Sequence, residues 1–183
     1  MINIETVYDS VVGRQGSLSG REYFMPPYLS FIEYKDIKTR FLKNVMSSKV
    51  FLFFCSFEEC EFNDGWFEYS AITYAQIYDI KFHNTTFNRF EFNSIHMDEG
   101  LFENCVFRDV TFKDVCFFSV KFKNCKFENV GFVGIHGGWA CYFQNTTLED
   151  CALKNTFVEF LDSSEGGVIP EHCDLKIVPV QRH

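Results

Sequence analysis

The sequence predicts an all-β fold in which short extended segments, joined by regular turns, form the successive sides of a coil. Three observations predict it. Large apolar residues recur at every fifth position, an uncharged and mostly small residue lies two positions before each of them, and Asn or Asp often lies two positions after. A period of five fits neither the 3.6-residue period of a helix nor the two-residue period of a simple strand.

The central track of large residues runs without interruption from residue 57 to residue 132. Its sixteen positions are all apolar, and three of them are Ile72, Ile77 and Met97. The other thirteen are Phe57, Phe62, Phe67, Phe82, Phe87, Phe92, Phe102, Phe107, Phe112, Phe117, Phe122, Phe127 and Phe132. In a coil with two inward residues per side, these side chains are the predicted core.

The second track holds six of the eight cysteines: Cys55, Cys60, Cys105, Cys125, Cys141 and Cys151. Because Val, Ala and Thr occupy equivalent positions, these cysteines are predicted to act as small core residues, neither disulfide-bonded nor bound to zinc. Cys116 and Cys173 lie off the track and are candidates for exposed thiols.

The turn track and its interruptions set the register. Asn and Asp two positions after the central residue favour turns because they tolerate unusual backbone dihedrals. The register extends weakly back to Ile32, broken at Ser47. It also breaks at residues 134–138, where one extra residue shifts the phase, and resumes from Phe143 to Val158.

Segments such as Phe102-Glu103-Asn104-Cys105-Val106-Phe107 resemble the pentapeptide-repeat family, whose repeat has a central Leu or Phe and a small residue two positions earlier. The resemblance covers roughly residues 32–160. It implies a right-handed quadrilateral β-helix with four pentapeptides per coil. About six coils would make a rod about 30 Å long.

The two ends of the chain lack the repeat. Residues 1–31 are expected to cap the first coil, because an open coil end invites edge pairing. Residues 32–160 are the predicted β-helix. Residues 161–183, which contain two prolines and a Gly pair, are expected to form a loop and tail.

A second resemblance, within that family, is to the luminal domain of synaptic vesicle glycoprotein 2. It rests on Phe57-Glu58-Glu59-Cys60-Glu61-Phe62-Asn63-Asp64 and on Phe143-Gln144-Asn145-Thr146-Thr147-Leu148. It implies a recognition domain facing a vesicle lumen or the cell exterior. Asn84 and Asn145 begin two sequons and would then be glycosylation acceptors. A complete free-standing chain would instead be cytoplasmic.

The charge narrows the class of partner. The net charge is -8, and residues 50–160 hold sixteen acidic and eight basic residues. Nucleic acid and anionic membranes would repel such a surface. No apolar run approaches the length of a membrane span. The charges are interspersed, so no continuous acidic track is expected.

Sequence motifs for catalysis are not apparent, and no cofactor or metal is predicted. His136 lies in the Gly-rich interruption, where a loop histidine is favoured over a catalytic one. We therefore predict a non-enzymatic protein-recognition or scaffold domain with an unidentified protein partner. The alternative is a cytoplasmic DNA-mimic pentapeptide-repeat protein that binds a type II topoisomerase.

Overall fold

The fold is a parallel β-solenoid with four flat faces. A computed structural model describes residues 2–3, 22–25, 29–33, 35–133, 141–158 and 175–178, and every regular element in these ranges is a β-strand. The chain visits the four faces in order, and each face is a ladder of strands from successive coils. The predicted fold class is thus confirmed.

The strands group by face. The long strands Asp36–Lys43 and Ser56–Asn63 each cross from face 1 to face 2. Face 1 continues with Gln76–Tyr78, His96–Asp98, Cys116–Phe118 and Tyr142–Gln144. Face 2 continues with Lys81–His83, Leu101–Glu103, Lys121–Lys123, Thr146–Glu149 and Leu175–Val178. Face 3 holds Ile2–Asn3, Val45–Ser48, Trp66–Glu68, Thr86–Asn88, Val106–Arg108, Lys126–Glu128 and Ala152–Lys154. Face 4 holds Glu22–Met25, Leu29–Glu33, Val50–Phe53, Ala71–Thr73, Glu91–Asn93, Thr111–Lys113, Gly131–Val133 and Phe157–Val158.

The coils follow from this register. Coils 1 to 4 are residues 36–55, 56–75, 76–95 and 96–115, coil 5 is 116–141, and coil 6 is 142–158. Five full turns separate the level of Asp36 from that of Tyr142, and the strands of coil 6 form one further level. Among the described strands all pairs are parallel except Glu22–Met25 with Leu29–Glu33, which is antiparallel.

The corners, where one face ends and the next begins, explain the period of five. Twenty-one of the described non-glycine residues have φ between 45 and 58°, and they recur every five residues except between Asn129 and Asn145. This left-handed conformation turns the chain, and the amide of the corner residue then bonds to the coil above, as Asp64 N does to His83 O at 3.0 Å. Each pentapeptide therefore gives two inward residues and three outward ones.

The core consists of stacked aromatic ladders. Phe62, Phe82, Phe102 and Phe122 stack on face 2 with ring centroids 4.8 to 5.1 Å apart. Ladders on neighbouring faces meet edge to face, as Phe112 and Phe117 do at 5.5 Å. Both geometries are the ones that aromatic quadrupoles favour.

The register break is larger than the phase shift indicates. Phe143 pairs with Phe117 and Phe132 with Phe112, so coil 5 is six residues longer than the 20 of its neighbours. The extra residues fall between Val133 and Cys141, outside the described residues. A phase shift of one cannot be distinguished in sequence from one residue plus a whole pentapeptide.

The ends of the solenoid are only partly described. Ile2–Asn3 extends face 3 below coil 1, and Leu175–Val178 pairs in parallel with Thr146–Glu149 at the top of face 2. The expected cap over residues 1–31 and the expected tail over residues 161–183 otherwise lie outside the described residues.

Candidate functional site

The exposed large apolar side chains are concentrated in the first coils. Among the described residues seven of the eight fall between residues 41 and 78: Phe41, Met46, Phe54, Trp66, Tyr69, Tyr74 and Tyr78. The eighth, Leu153, lies in the last coil. Contiguous exposed apolar surface is typical of interaction sites.

Three of these aromatic residues occupy corner positions. Phe54, Tyr69 and Tyr74 have φ of 51, 49 and 53°. A bulky side chain in this left-handed region costs about 1 to 2 kcal/mol, whereas Asn and Asp tolerate it. The fold by itself therefore favours Asn or Asp here, and the aromatic residues need another explanation.

Phe54, Tyr69, Tyr74 and Arg89, with Ala71 and Thr73 between the tyrosines, form what we call the aromatic surface. Tyr74 is 56% exposed and stacks on Phe54 with centroids 5.1 Å apart. Arg89 lies 4.9 Å from the centroid of the Tyr69 ring. Its Nε is also 3.9 Å from Asp109 Oδ2. The rings are thus held in place by neighbours from adjacent coils.

Face 4 between the two tyrosines is recessed. Ala71 and Thr73 point outward yet are only 8% and 9% exposed. The next strands along the solenoid place Phe51 and Glu91 beside Ala71. Lys49, Phe51, Tyr69, Arg89, Glu91 and Thr111 line the open groove over Ala71. The small side chain at Ala71 creates the recess.

An acidic column follows the corner between faces 1 and 2. Glu59, Asp79 and Glu99 occupy this corner in coils 2, 3 and 4. The pKa of the neighbouring Tyr78 phenol is raised, chiefly by the negative charge of Glu99 and also by burial. Asp79 also pairs with Lys81 Nζ at 3.1 Å, so the column is short and partly compensated, and the expectation of no continuous acidic track stays a prediction. Residues 20 apart in sequence are neighbours in the solenoid.

The upper coils carry compensated charge. Glu128 lies 2.6 Å from Lys154 Nζ and 3.3 Å from Arg108 Nε, and these cations hold the pKa of its carboxyl below the usual range. Glu103 lies 3.0 Å from Lys123 Nζ, which likewise lowers the pKa of that carboxyl. These ladders join successive coils and leave little excess charge.

Comparison with known proteins finds likeness only among solved structures. No family model and no curated protein matches the sequence. A pentapeptide repeat protein from the cyanobacterium Cyanothece 51142 is 10% identical, with a TM-score of 0.45, over 69% of this chain and 87% of that chain.

Two further structures are similar. HetL, a pentapeptide repeat protein involved in heterocyst differentiation regulation in the cyanobacterium Nostoc, is 6% identical over 87% of this chain and 94% of its own, with a TM-score of 0.31. A trypsin-treated form of QnrB1, a plasmid-mediated fluoroquinolone resistance protein, is 11% identical over 84% and 90%, with a TM-score of 0.31. At these TM-scores the likenesses carry no argument about function.

The phenylalanines of the predicted core all lie inside the solenoid. Phe57 and Phe62 in coil 2 are 3% exposed and Phe67 is 5% exposed, and the central-track phenylalanines from Phe82 to Phe132 are at most 2% exposed. Phe90, on the small track, is also buried, against Phe87 and Phe92 at 5.3 and 4.7 Å.

The two sequon asparagines lie at exposed corners. Asn84 Nδ2 donates to Asp64 Oδ1 at 3.2 Å, and Asn145 Nδ2 donates to Ser119 Oγ at 3.3 Å. Both amide nitrogens thus take part in contacts between coils. Their use as glycosylation acceptors stays a prediction.

The track cysteines are free thiols, and all but the half-buried Cys151 are buried. Burial raises the pKa of Cys55 to about 11 and that of Cys141 to about 12. Cys105 and Cys125 donate to backbone carbonyl oxygens at 3.3 and 3.2 Å. Cys116 is half-buried, while Cys173 and His136 lie outside the described residues.

Metal-binding and membrane-spanning features were sought in the same ranges. Among the described residues no group of three His, Cys, Asp or Glu is placed to hold a metal ion. The described part of the chain likewise contains no helix with the length and apolarity of a membrane span.

Sequence reasoning missed the aromatic surface, although a signal was present. The turn track is mostly Asn and Asp, and its exceptions include Lys49, Phe54, Tyr69, Tyr74 and Arg89. All five flank face 4 in the first three coils. Only the 20-residue coil shows that these exceptions are neighbours.

Proposed function

We propose that the protein is a non-enzymatic recognition scaffold that binds a protein partner through the aromatic surface. The observation that carries this is the placement of Phe54, Tyr69 and Tyr74 at left-handed corners, where they are 47%, 42% and 56% exposed. At these positions the backbone is strained and the rings remain exposed, so a contribution to folding does not explain the choice of aromatic residues.

The composition of the surface fits protein recognition. Tyr, Phe and Arg are enriched in protein–protein interfaces, and Tyr and Arg dominate binding hot spots. The stacked Phe54–Tyr74 pair and the Tyr69–Arg89 pair are held by adjacent coils. Such preorganised side chains lose little conformational entropy when a partner binds.

The test is affinity capture from the source cells with three baits. The wild-type chain should capture a specific protein, and the Tyr69→Asn/Tyr74→Asn variant should lose it, because Asn suits the corner but removes the rings. Tyr78→Asn, an exposed tyrosine on face 1, is the matched control and should keep the capture. Equal capture by all three baits, or no specific capture, would contradict the proposal.

A second candidate function rests on the acidic column. Glu59, Asp79 and Glu99 support, over three levels, the alternative of a DNA mimic that binds a type II topoisomerase. The chain should then inhibit DNA supercoiling, and Asp79→Lys with Glu99→Lys should abolish that inhibition. Asp64→Lys, at a different corner, is the control. Absence of inhibition by the wild-type chain would exclude this candidate.

A narrower proposal is that the chain is a luminal recognition domain. The exposure of Asn84 and Asn145 supports it, because a glycan needs an outward side chain. Secretion from eukaryotic cells should give a product that loses mass on glycosidase treatment and does not when both residues are changed to Gln. A product with no glycan would count against the luminal assignment.

A further inference from the structure

We propose that the groove over Ala71 binds a short, extended, uncharged peptide segment of the partner and takes one apolar side chain of that segment into the recess. This inference rests on the proposed function and names the kind of partner that the aromatic surface recognises.

The shape of the groove fits a single side chain. Ala71 is smaller than both of its neighbours in the row, Phe51 on the coil before it and Glu91 on the coil after it. Tyr69 and Tyr74 stand at the two ends of the strand Ala71–Thr73. An apolar side chain placed over Ala71 would contact rings on several sides and exclude water from them.

The charges around the groove favour an uncharged segment. Arg89 is held between the Tyr69 ring and Asp109. Glu91 Oε1 accepts a hydrogen bond from Asn93 Nδ2 at 2.8 Å. Lys49 and Asp109 also line the groove, so its four formal charges, two positive and two negative, sum to zero and attract neither sign of ligand. The acidic column of Glu59, Asp79 and Glu99 lies at another corner of the solenoid.

The size of the surface favours a segment over a globular partner. Two coil spacings of about 4.8 Å and a strand arc of five residues at about 3.3 Å each give an area on the order of 160 Å². A stable interface between folded proteins buries about 800 Å² on each side. This area is therefore too small for a stable interface with a second copy of this chain, whereas it is large enough for a short extended segment.

The two sides of the groove suit an extended backbone. Phe51 lies on one side, and Glu91 with Asn93 lies on the other. An extended segment presents side chains in alternation, with backbone amide groups between them. One edge of such a segment can contact the aromatic side while its backbone groups face the polar side.

The experiment selects phage-displayed random peptides on the immobilised wild-type chain and measures binding of the enriched peptides as synthetic molecules. The variants are Ala71→Phe, which fills the recess, and Val106→Phe, which places the same side chain at the equivalent outward position on face 3. We expect peptides with a shared apolar residue that bind Ala71→Phe at least about tenfold more weakly. Binding to Val106→Phe should not change, and salt between about 0.05 and 0.5 M should have little effect.

Three results would overturn the inference. They are no enriched peptide, enrichment of Lys- and Arg-rich peptides whose binding weakens with salt, and equal affinity for Ala71→Phe and the wild-type chain. If partner capture still depends on Tyr69 and Tyr74 while no peptide is enriched, the proposed function stands and the peptide inference is wrong. If peptides bind at Ala71 but partner capture does not depend on Tyr69 and Tyr74, the proposed function is wrong.

Discussion

Coils 1 and 2 differ from coils 4 to 6 at the corners. Of the seven left-handed non-glycine residues from Asn44 to Tyr74, two are Asn or Asp. Of the ten in coils 4 to 6, from Glu99 to Asn155, eight are. Since every corner has the same backbone conformation, the late coils use the residues that suit it and the early coils do not. The early coils must therefore meet a requirement other than folding.

The interiors of the two regions differ in the same direction. The late coils stack Phe on Phe along all four faces, as Phe107 does on Phe127 at 4.8 Å. On face 3 the ladder of stacked rings ends at Phe67 in coil 2, and Ser47 lies beneath that ring in coil 1. Ser47 Oγ is buried and, among the described residues, has no hydrogen-bond partner. A cavity of about 20 Å³ lies beside it. The late coils are thus the better-packed scaffold.

The largest expected effect is in the late coils. Phe112→Ala should lower the free energy of unfolding by about 3 to 5 kcal/mol, because it removes a ring stacked between Phe92 and Phe132. Urea denaturation followed by circular dichroism measures it. A loss below about 1 kcal/mol would contradict the packing of this ladder.

Two serines at the coil 1 cavity should respond in opposite directions. Ser47→Ala removes an unpartnered buried hydroxyl and should stabilise the protein by about 1 to 2 kcal/mol. Ser70 Oγ accepts from Val50 N at 3.0 Å and donates to Glu68 O at 2.8 Å, so Ser70→Ala should destabilise it by a similar amount. The urea denaturation midpoints of the two variants measure these changes in stability. The same sign for both would show that the hydroxyl of Ser47 has a partner in solution.

Exchanging corner residues between the regions tests the comparison directly. Asn129 bonds to Asp109 and Asn155 at 2.9 and 3.1 Å, so Asn129→Tyr should cost about 1 to 2 kcal/mol in backbone strain and lost bonds. Tyr69→Asn, on the same corner in coil 2, should change stability by less than about 1 kcal/mol, because relief of strain offsets the lost ring contact with Arg89. If Tyr69→Asn costs as much as Asn129→Tyr, the tyrosine serves folding after all.

The smallest expected effect is a loss of stability at low pH. The pKa values of Glu103, Glu128 and Glu149 are lowered, chiefly by Lys123, Lys154 and Lys121 respectively. A carboxyl with a lowered folded-state pKa stabilises the fold above its unfolded pKa of 4.5 and loses that contribution as the pH falls through the folded value. Stability should therefore fall below about pH 4.5. Glu128→Gln should reduce this pH dependence slightly, and it should shrink further in high salt. A pH dependence unchanged by Glu128→Gln would show that this pair contributes nothing.

The repeat pattern was enough to predict the fold class, because a period of five with paired apolar positions leaves few other backbones. The inward residues from Phe57 to Phe132 follow directly from that period, since each is defined by its position within its own pentapeptide. Local rules also indicated the corners, where Asn and Asp recur. The length of coil 5 was not determined, because a whole added pentapeptide leaves the phase unchanged.

The folded solenoid was needed to show which outward residues are neighbours. Tyr69 meets Arg89, Ala71 meets Phe51 and Glu91, and Tyr74 meets Phe54 because coils 1 to 4 each contain 20 residues. Glu59, Asp79 and Glu99 align for the same reason. Contacts between residues 20 apart depend on how many pentapeptides close one turn. That number is fixed by the packing of the four inward ladders against one another, a property of the assembled solenoid that no single pentapeptide carries.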